Sequence, residues 1–144
     1  MPMVDISSKE IAKRIAEAEG KIILSEKTLK ILPKVEKGDV FEAAQIAGTM
    51  AVKNTPKVIP YCHPIPIESV KFDFSVVDDG VVIKCEVKSV AKTGVEMEAL
   101  VGVTTALLTI WDMVKKYEKD ESGNYPNTEI RFIKVLRKVK GDAY

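Results

Sequence analysis

Val70-Lys71-Phe72-Asp73-Phe74-Ser75-Val76 leads, across Asp78-Asp79-Gly80, into a second β-rich run from Val81 to Val90. In the first run Val70, Phe72, Phe74 and Val76 alternate with Lys71, Asp73 and Ser75, which is the period of a strand with one buried face. Asp-Gly between two such runs is a tight-turn signal, so the stretch reads as an antiparallel hairpin. A hairpin that is wet on one side has to bury its other side under helices, and the flanking sequence supplies them.

Towards the N-terminus, Asp39 and Glu42 form a capping-box pattern ahead of Val40, Ala43, Ala44, Ile46, Ala47 and Met50, which predicts a helix. Its small residues allow close approach to a sheet or another helix, and it fades at Asn54-Thr55-Pro56. Ser25 is placed to cap a short helix ending near Pro33. From Arg14 to Leu24 the chain alternates with period two. Ser7 and Glu10 offer a competing helix start, but the alternation favours a strand, with the first dozen residues as a loose arm.

Towards the C-terminus, Ala91-Lys92-Thr93-Gly94 is a loop. Val95 to Glu118 then reads as one long helix whose middle is almost wholly apolar. A helix so apolar is buried on most faces, more than one small sheet requires, which points to burial between copies of the chain. After the turn-rich 121–126 segment, Glu129 to Val139 reads as a last strand, with Ile130 and Phe132 apolar and a switch of phase before Val135. Strand, helices, strand, strand, helix, strand is the split β-α-β order of an α+β, ferredoxin-like sandwich, with a mainly antiparallel sheet and helices on one face.

At 144 residues the chain is long enough for one domain, taken as 1–144, with a real core and no disulfide or metal staples. Lys and Arg number 22 against 21 Asp and Glu. That balance gives no bulk field for nucleic acid or a membrane, so any anion site must be local. The apolar stretch Ala99–Met113 is short for a membrane span and the N-terminus lacks a hydrophobic leader, so the expected location is cytoplasmic. Two cysteines and one histidine make a closed zinc site improbable, and Cys62 is expected to be a small buried hydrophobe.

Three places can carry chemistry. The single histidine, His63, sits in Ile59-Pro60-Tyr61-Cys62-His63-Pro64-Ile65-Pro66, where prolines fix the backbone and hold the ring on a stiff segment. The segment Lys92-Thr93-Gly94-Val95-Glu96-Met97-Glu98 sets a cation, a hydroxyl and two carboxylates at the head of the long helix, suited either to capping or to holding an anion or polar heterocycle. Asp112 lies in Trp111-Asp112-Met113-Val114, with Lys115 and Lys116 in reach one turn on. A carboxylate in so apolar a stretch is expected to be buried and paired. Glu98 and Asp112 share a helix face but lie roughly 21 Å apart along the axis, so if both serve one site, two subunits must build it.

Met3-Val4-Asp5, Lys37-Gly38-Asp39-Val40-Phe41, Ile46-Ala47-Gly48, Ile59-Pro60-Tyr61-Cys62-His63-Pro64, Lys92-Thr93-Gly94-Val95-Glu96-Met97-Glu98-Ala99-Leu100 and Thr109-Ile110-Trp111-Asp112-Met113 resemble, in order and over nearly the whole chain, the cyclic pyranopterin monophosphate synthase (MoaC) family of molybdenum cofactor biosynthesis. The resemblance implies conversion of a tricyclic GTP-derived nucleotide to cyclic pyranopterin monophosphate with release of pyrophosphate. It implies Asp112 and Lys115 as the catalytic acid/base pair, Lys37 as a further active-site lysine, and Tyr61, Cys62, His63, Met97, Glu98 and Glu96 as substrate-binding. Arg14 aligns with a family arginine, and Tyr61 replaces the leucine commonly found before the Cys-His pair. The family is similar in forming hexamers, trimers of dimers with intersubunit sites. No cofactor or metal ligand is expected, although magnesium could accompany the substrate phosphates. A non-catalytic purine-nucleotide-binding oligomer is the alternative.

Overall fold

Along the chain run β1 (Ala12–Ile23), α1 (Glu26–Ile31), β2 (Lys34–Val35), β3 (Gly38–Asp39), α2 (Val40–Lys53), α3 (Thr55–Val58), β4 (Ser69–Val77), β5 (Gly80–Ala91), α4 (Glu96–Glu118) and β6 (Glu129–Lys140). The structure, a computed structural model, describes residues 2–141. Met1 and residues 142–144, the outer ends of the expected 1–144 domain, lie outside the described residues.

Four strands form one sheet in the order β4-β5-β1-β6, with every neighbouring pair antiparallel. This is the α+β sandwich expected from the element order. The two expected helix caps form as read: the Ser25 side chain accepts the Thr28 N–H, and Asp39 Oδ1 accepts the Glu42 N–H at 3.0 Å. The β2–β3 ladder was not anticipated, because two residues per strand are too few to show a period.

Alternation divides the sheet into two faces. Ala12, Ala16, Ala18 and Ile22 of β1 join Val81, Ile83, Cys85 and Val87 of β5 beneath the helices. Ala99, Val103, Ala106, Leu107, Ile110 and Val114 of α4, spaced by three and four residues, complete this core. Each fully buried Val, Leu or Ile side chain contributes on the order of 1.5–3 kcal/mol. The opposite face carries charges, among them Glu86 paired with Arg137 at 2.8 Å, which explains why no second helical layer forms there.

Two local devices make the packing close. A Cβ on Gly48 would lie 3.0 Å from the Gly102 carbonyl, and one on Gly102 would lie 2.7 Å from Val52 Cγ2. These glycines therefore allow α2 and α4 to touch through their backbones. In β6 the switch of phase seen in the sequence has a structural cause. The pairing passes from Ile22↔Ile130 to Lys21↔Phe132, so Arg131 is the extra residue of a bulge that brings Ile133 and Val135 onto the face of Ile130; a second bulge, at Leu136, follows between Ala18↔Val135 and Glu17↔Arg137.

By length and composition the whole of α4, Glu96–Glu118, is long and apolar enough to cross a membrane. It is instead the core helix, lying on the sheet with its apolar stripe buried. Its outward face is also apolar: Met97, Leu100, Val101 and Thr104 line, with Val58 and Ile133, a surface cleft of about 390 Å³.

Candidate active site

The first cluster forms at the tail of α4. Asp112 and Lys115 lie three residues apart on the helix, and Lys115 Nζ donates to Asp112 Oδ1 at 2.9 Å. Lys37, at the tip of the β2–β3 hairpin and 75 residues away in sequence, brings its Nζ to 3.4 Å from Asp112 Oδ2 and 3.2 Å from the Asp112 carbonyl oxygen. The three line one small cleft of about 140 Å³.

Asp112 is not buried, contrary to expectation: its side chain is 59% exposed. The apolar neighbours in sequence point elsewhere, since the buried stripe of α4 runs through Ile110, Val114 and Glu118 and two residues along a helix turn the side chain by about 200°. The Lys115 hydrogen bond and charge, followed by those of Lys37, hold the Asp112 carboxyl below its ordinary range. Reciprocally, Asp112 raises the Lys115 ammonium above its ordinary value. The resting cluster is an anion between two cations, with Lys115 holding its proton.

The second cluster forms at the head of α4. Glu98 is buried, with 2% of its surface exposed. Its Oε2 accepts from Cys62 Sγ at 3.5 Å, while Oε1 is buried with no hydrogen-bond partner among the described residues. Burial raises the Glu98 carboxyl, outweighing the opposing pull of its own backbone amide and the Cys62 thiol. Cys62 is only partly buried, unlike the core residue that was expected, because its segment runs over the helix head. Burial together with the Glu98 charge pushes its thiol up to about 11. A thiol so held keeps its proton and serves as a hydrogen-bond donor to Glu98. Cys85 is the buried cysteine, and both are free.

His63 Nε2 lies 2.6 Å from the Val4 carbonyl oxygen. A carbonyl only accepts, so the neutral ring carries its proton on Nε2 and leaves Nδ1 as an acceptor. The N-terminal arm is thus tied down and not loose. Lys92 Nζ reaches the Ser7 carbonyl at 3.4 Å, and Asp5 Oδ1 accepts the Ser7 N–H at 2.8 Å. Arg14 is buried beneath the Lys92 loop and donates from Nε to the Ala91 carbonyl and from Nη2 to the Lys92 carbonyl, each at 3.3 Å. It supports the loop from behind. Glu96 Oε2 pairs with Lys138 at 3.3 Å, and the side chains of Tyr61 and Met97 are exposed. The N-cap of α4 is Val95, which makes no side-chain cap, and Glu96 and Glu98 stand in the first turn, where carboxylates complement the helix N-terminus.

The structure therefore brings Lys37, Asp112 and Lys115 together, and separately Cys62 with Glu98 beside His63. It does not unite the two sets within one chain, because α4 runs unbroken between them. Sequence reasoning missed three residues at the tail: Glu118, a buried carboxylate bonded by Ser25, Thr28 and Thr128, and Glu36 with Tyr117, whose Oη accepts the Glu36 N–H at 3.2 Å. Glu118 lies on the apolar stripe of α4, and that position was the available signal. The others depend on long-range contacts with no local pattern.

Comparison with known proteins follows the same lines. The profile described as the MoaC family matches residues 3–141. A protein of Archaeoglobus fulgidus named probable cyclic pyranopterin monophosphate synthase is 61% identical over 141 residues, covering 96% of this chain and 90% of its own. Proteins with the same name from Aeropyrum pernix, 56% identical over 96% of this chain and 97% of their own, and from Methanosarcina mazei, 55% over 98% and 91%, are similar throughout.

Proposed function

Since the chain belongs to the MoaC family, we propose that it is an enzyme of molybdenum cofactor biosynthesis that converts 3′,8-cyclo-7,8-dihydroguanosine 5′-triphosphate to cyclic pyranopterin monophosphate, releasing pyrophosphate. The observation that carries this reading is the convergence of Lys37, Asp112 and Lys115 in one cleft from two distant parts of the chain. A carboxylate held ionised beside a lysine held protonated is a base and an acid within one hydrogen bond of each other.

In this reading Lys115 and Asp112 exchange protons with the substrate as its ring opens and rearranges. Lys37 and neighbouring cations offset the triphosphate charge while a ribose oxygen is brought in line with the α-phosphorus. Glu98, buried with one unpartnered oxygen, supplies a directional contact to the purine-derived rings, with Glu96, Met97, Tyr61, Cys62 and His63 along the same edge. Arg14 acts through the Lys92 loop. No resident cofactor is assigned; the triphosphate would bring Mg²⁺ on its own oxygens. Among the described residues no group of three or more His, Cys, Asp or Glu side chains could hold a metal.

The proposed functional unit is a homo-oligomer, a hexamer built as a trimer of dimers with sites shared between chains, acting in the cytoplasm. Two features support sharing: the distance between the clusters along α4, and the apolar outer face of that helix, where Leu108 is 54% exposed. Two α4 helices packed antiparallel would set the Glu98 end of one beside the Asp112 end of the other.

The deciding experiment incubates the pure protein with the tricyclic nucleotide and follows pyrophosphate and the cyclic phosphate. Formation of both supports the reading. Saturable binding without either product would overturn it in favour of a non-catalytic purine-nucleotide-binding oligomer.

A further inference from the structure

Lys37 stands on a support that is too small to place it. The β2–β3 ladder consists of two residue pairs, Lys34↔Asp39 and Val35↔Gly38, and a two-stranded ribbon of that size is not stable by itself. Its tip residues Glu36 and Lys37 keep negative φ, and the tip closes through Gly38 at φ +126°. The position of Lys37 is therefore set by whatever the hairpin rests on. Its base is anchored where the Val40 N–H donates to the Pro33 carbonyl at 2.8 Å and Val35 packs against the core, and its tip rests on the tail of α4, where Tyr117 Oη accepts the Glu36 N–H at 3.2 Å and Lys116 pairs with the Glu36 carboxylate.

These two ties differ in kind. Lys116 and Glu36 are 61% and 71% exposed, and an exposed pair of flexible side chains fixes little. The Tyr117 ring is partly buried and packs against the core, so its oxygen is a fixed point. It also meets backbone, one residue before Lys37, and so controls where the Lys37 Cα sits.

We propose that Tyr117 is a positioning residue for the Lys37–Asp112–Lys115 cluster: its phenolic oxygen holds the Glu36 amide and thereby sets the β2–β3 hairpin so that Lys37 Nζ reaches Asp112. The inference rests on the function proposed above for its catalytic consequence, but the placement of Lys37 is testable without it. A displacement of about 1 Å in a catalytic group can cost on the order of a hundredfold in rate.

The test uses Tyr117→Phe, which keeps the ring and removes only the acceptor, in the full-length protein. The Asp112 carboxyl is followed by ¹³C NMR on aspartate-labelled protein, its signal identified with Asp112→Asn. The expected result is an unchanged thermal midpoint, an upward shift of the Asp112 titration as Lys37 withdraws, and a kcat lowered roughly tenfold to a hundredfold. A second pair probes the same bond from its donor side. Glu36→Pro removes the N–H at a turn position that favours proline, whereas Glu36→Ala keeps it. Glu36→Pro should reproduce the shift and Glu36→Ala should not, and adding Tyr117→Phe to Glu36→Pro should change nothing further. An Asp112 titration that stays at its wild-type position in both Tyr117→Phe and Glu36→Pro overturns the proposal, whether or not activity or stability falls. If wild-type protein fails to turn over the nucleotide, the proposed reaction fails, while the titration still decides whether Tyr117 places Lys37.

Discussion

Glu98 and Glu118 are both buried on α4, twenty residues apart, and the fold treats them in opposite ways. Glu118 is saturated: it accepts from the Ser25 N–H and hydroxyl and from the hydroxyls of Thr28 and Thr128. Burial would raise its carboxyl, but these donors outweigh burial and hold it below its ordinary value. Glu98 has one thiol and an unpartnered oxygen, and burial raises it. The first joins the end of β1, α1 and the approach to β6 to the helix tail. The second is kept poised.

The pair predicts opposite acid profiles. Glu118, with a lowered folded value, contributes stability above its unfolded value of about 4.3 and loses it as pH falls through the folded value. Glu118→Ala should therefore cost about 3 kcal/mol near neutrality, and the deficit should shrink in acid. Glu98, with a raised folded value, contributes stability that is complete below its unfolded value and is lost as pH rises through the folded one. Glu98→Gln should flatten that fall and leave the neutral protein at least as stable as wild type. Urea midpoints of the three proteins between about pH 3 and pH 8 check both signs; a Glu118→Ala deficit that grows in acid contradicts the assignment.

Much of the sheet and its helices was legible because the hairpin, the caps at Ser25 and Asp39 and the apolar stripe of α4 are local patterns. The phase switch before Val135 was visible too, although its cause, the bulge at Arg131 against β1, needed the partner strand. Asp112 misled because neighbours in sequence are not neighbours on a helix: a polar side chain between Trp111 and Met113 turns to solvent without leaving the apolar run. The docking of Glu36 on Tyr117, the tie of His63 to Val4 and the bond of Ser25 to Glu118 join residues 59 to 93 positions apart, and no periodicity encodes such contacts.

Loss of the His63 imidazole should lower turnover about a hundredfold or more with the fold kept, because the prolines around it, and not the ring, set the backbone. The contact of Nε2 with the Val4 carbonyl sharpens the test. His63→Gln can still donate to that carbonyl but offers no basic nitrogen in place of Nδ1, so it should keep the arm in place and remain slow. Wild-type kinetics in His63→Gln would reduce the histidine to a tether for the arm, read out by proteolysis of the first residues.

Sharing of sites between subunits predicts complementation. Glu98→Ala and Asp112→Ala each damage a different end of α4, so each homo-oligomer should be inactive. Mixed under conditions where subunit exchange is shown by mass spectrometry, they should regain part of the wild-type rate, since some sites then combine two intact ends. Exchange without recovered activity would mean that each chain builds its own site.

Lys115 and Asp112 are expected to behave as a unit, because each holds the other in its charged form across 2.9 Å. Lys115→Ala should abolish turnover while the oligomer and measurable nucleotide binding persist. Lys115→Arg should not restore it: a guanidinium keeps its proton throughout the physiological range and cannot complete a proton exchange. The double variant with Asp112→Ala should be little worse than either single one, as for groups that act together. These outcomes are read from single-turnover rates of the four proteins. Losses that add, or an active arginine variant, would make Lys115 an anchor for phosphate. The proton chemistry would then fall to Lys37, the other cation on Asp112.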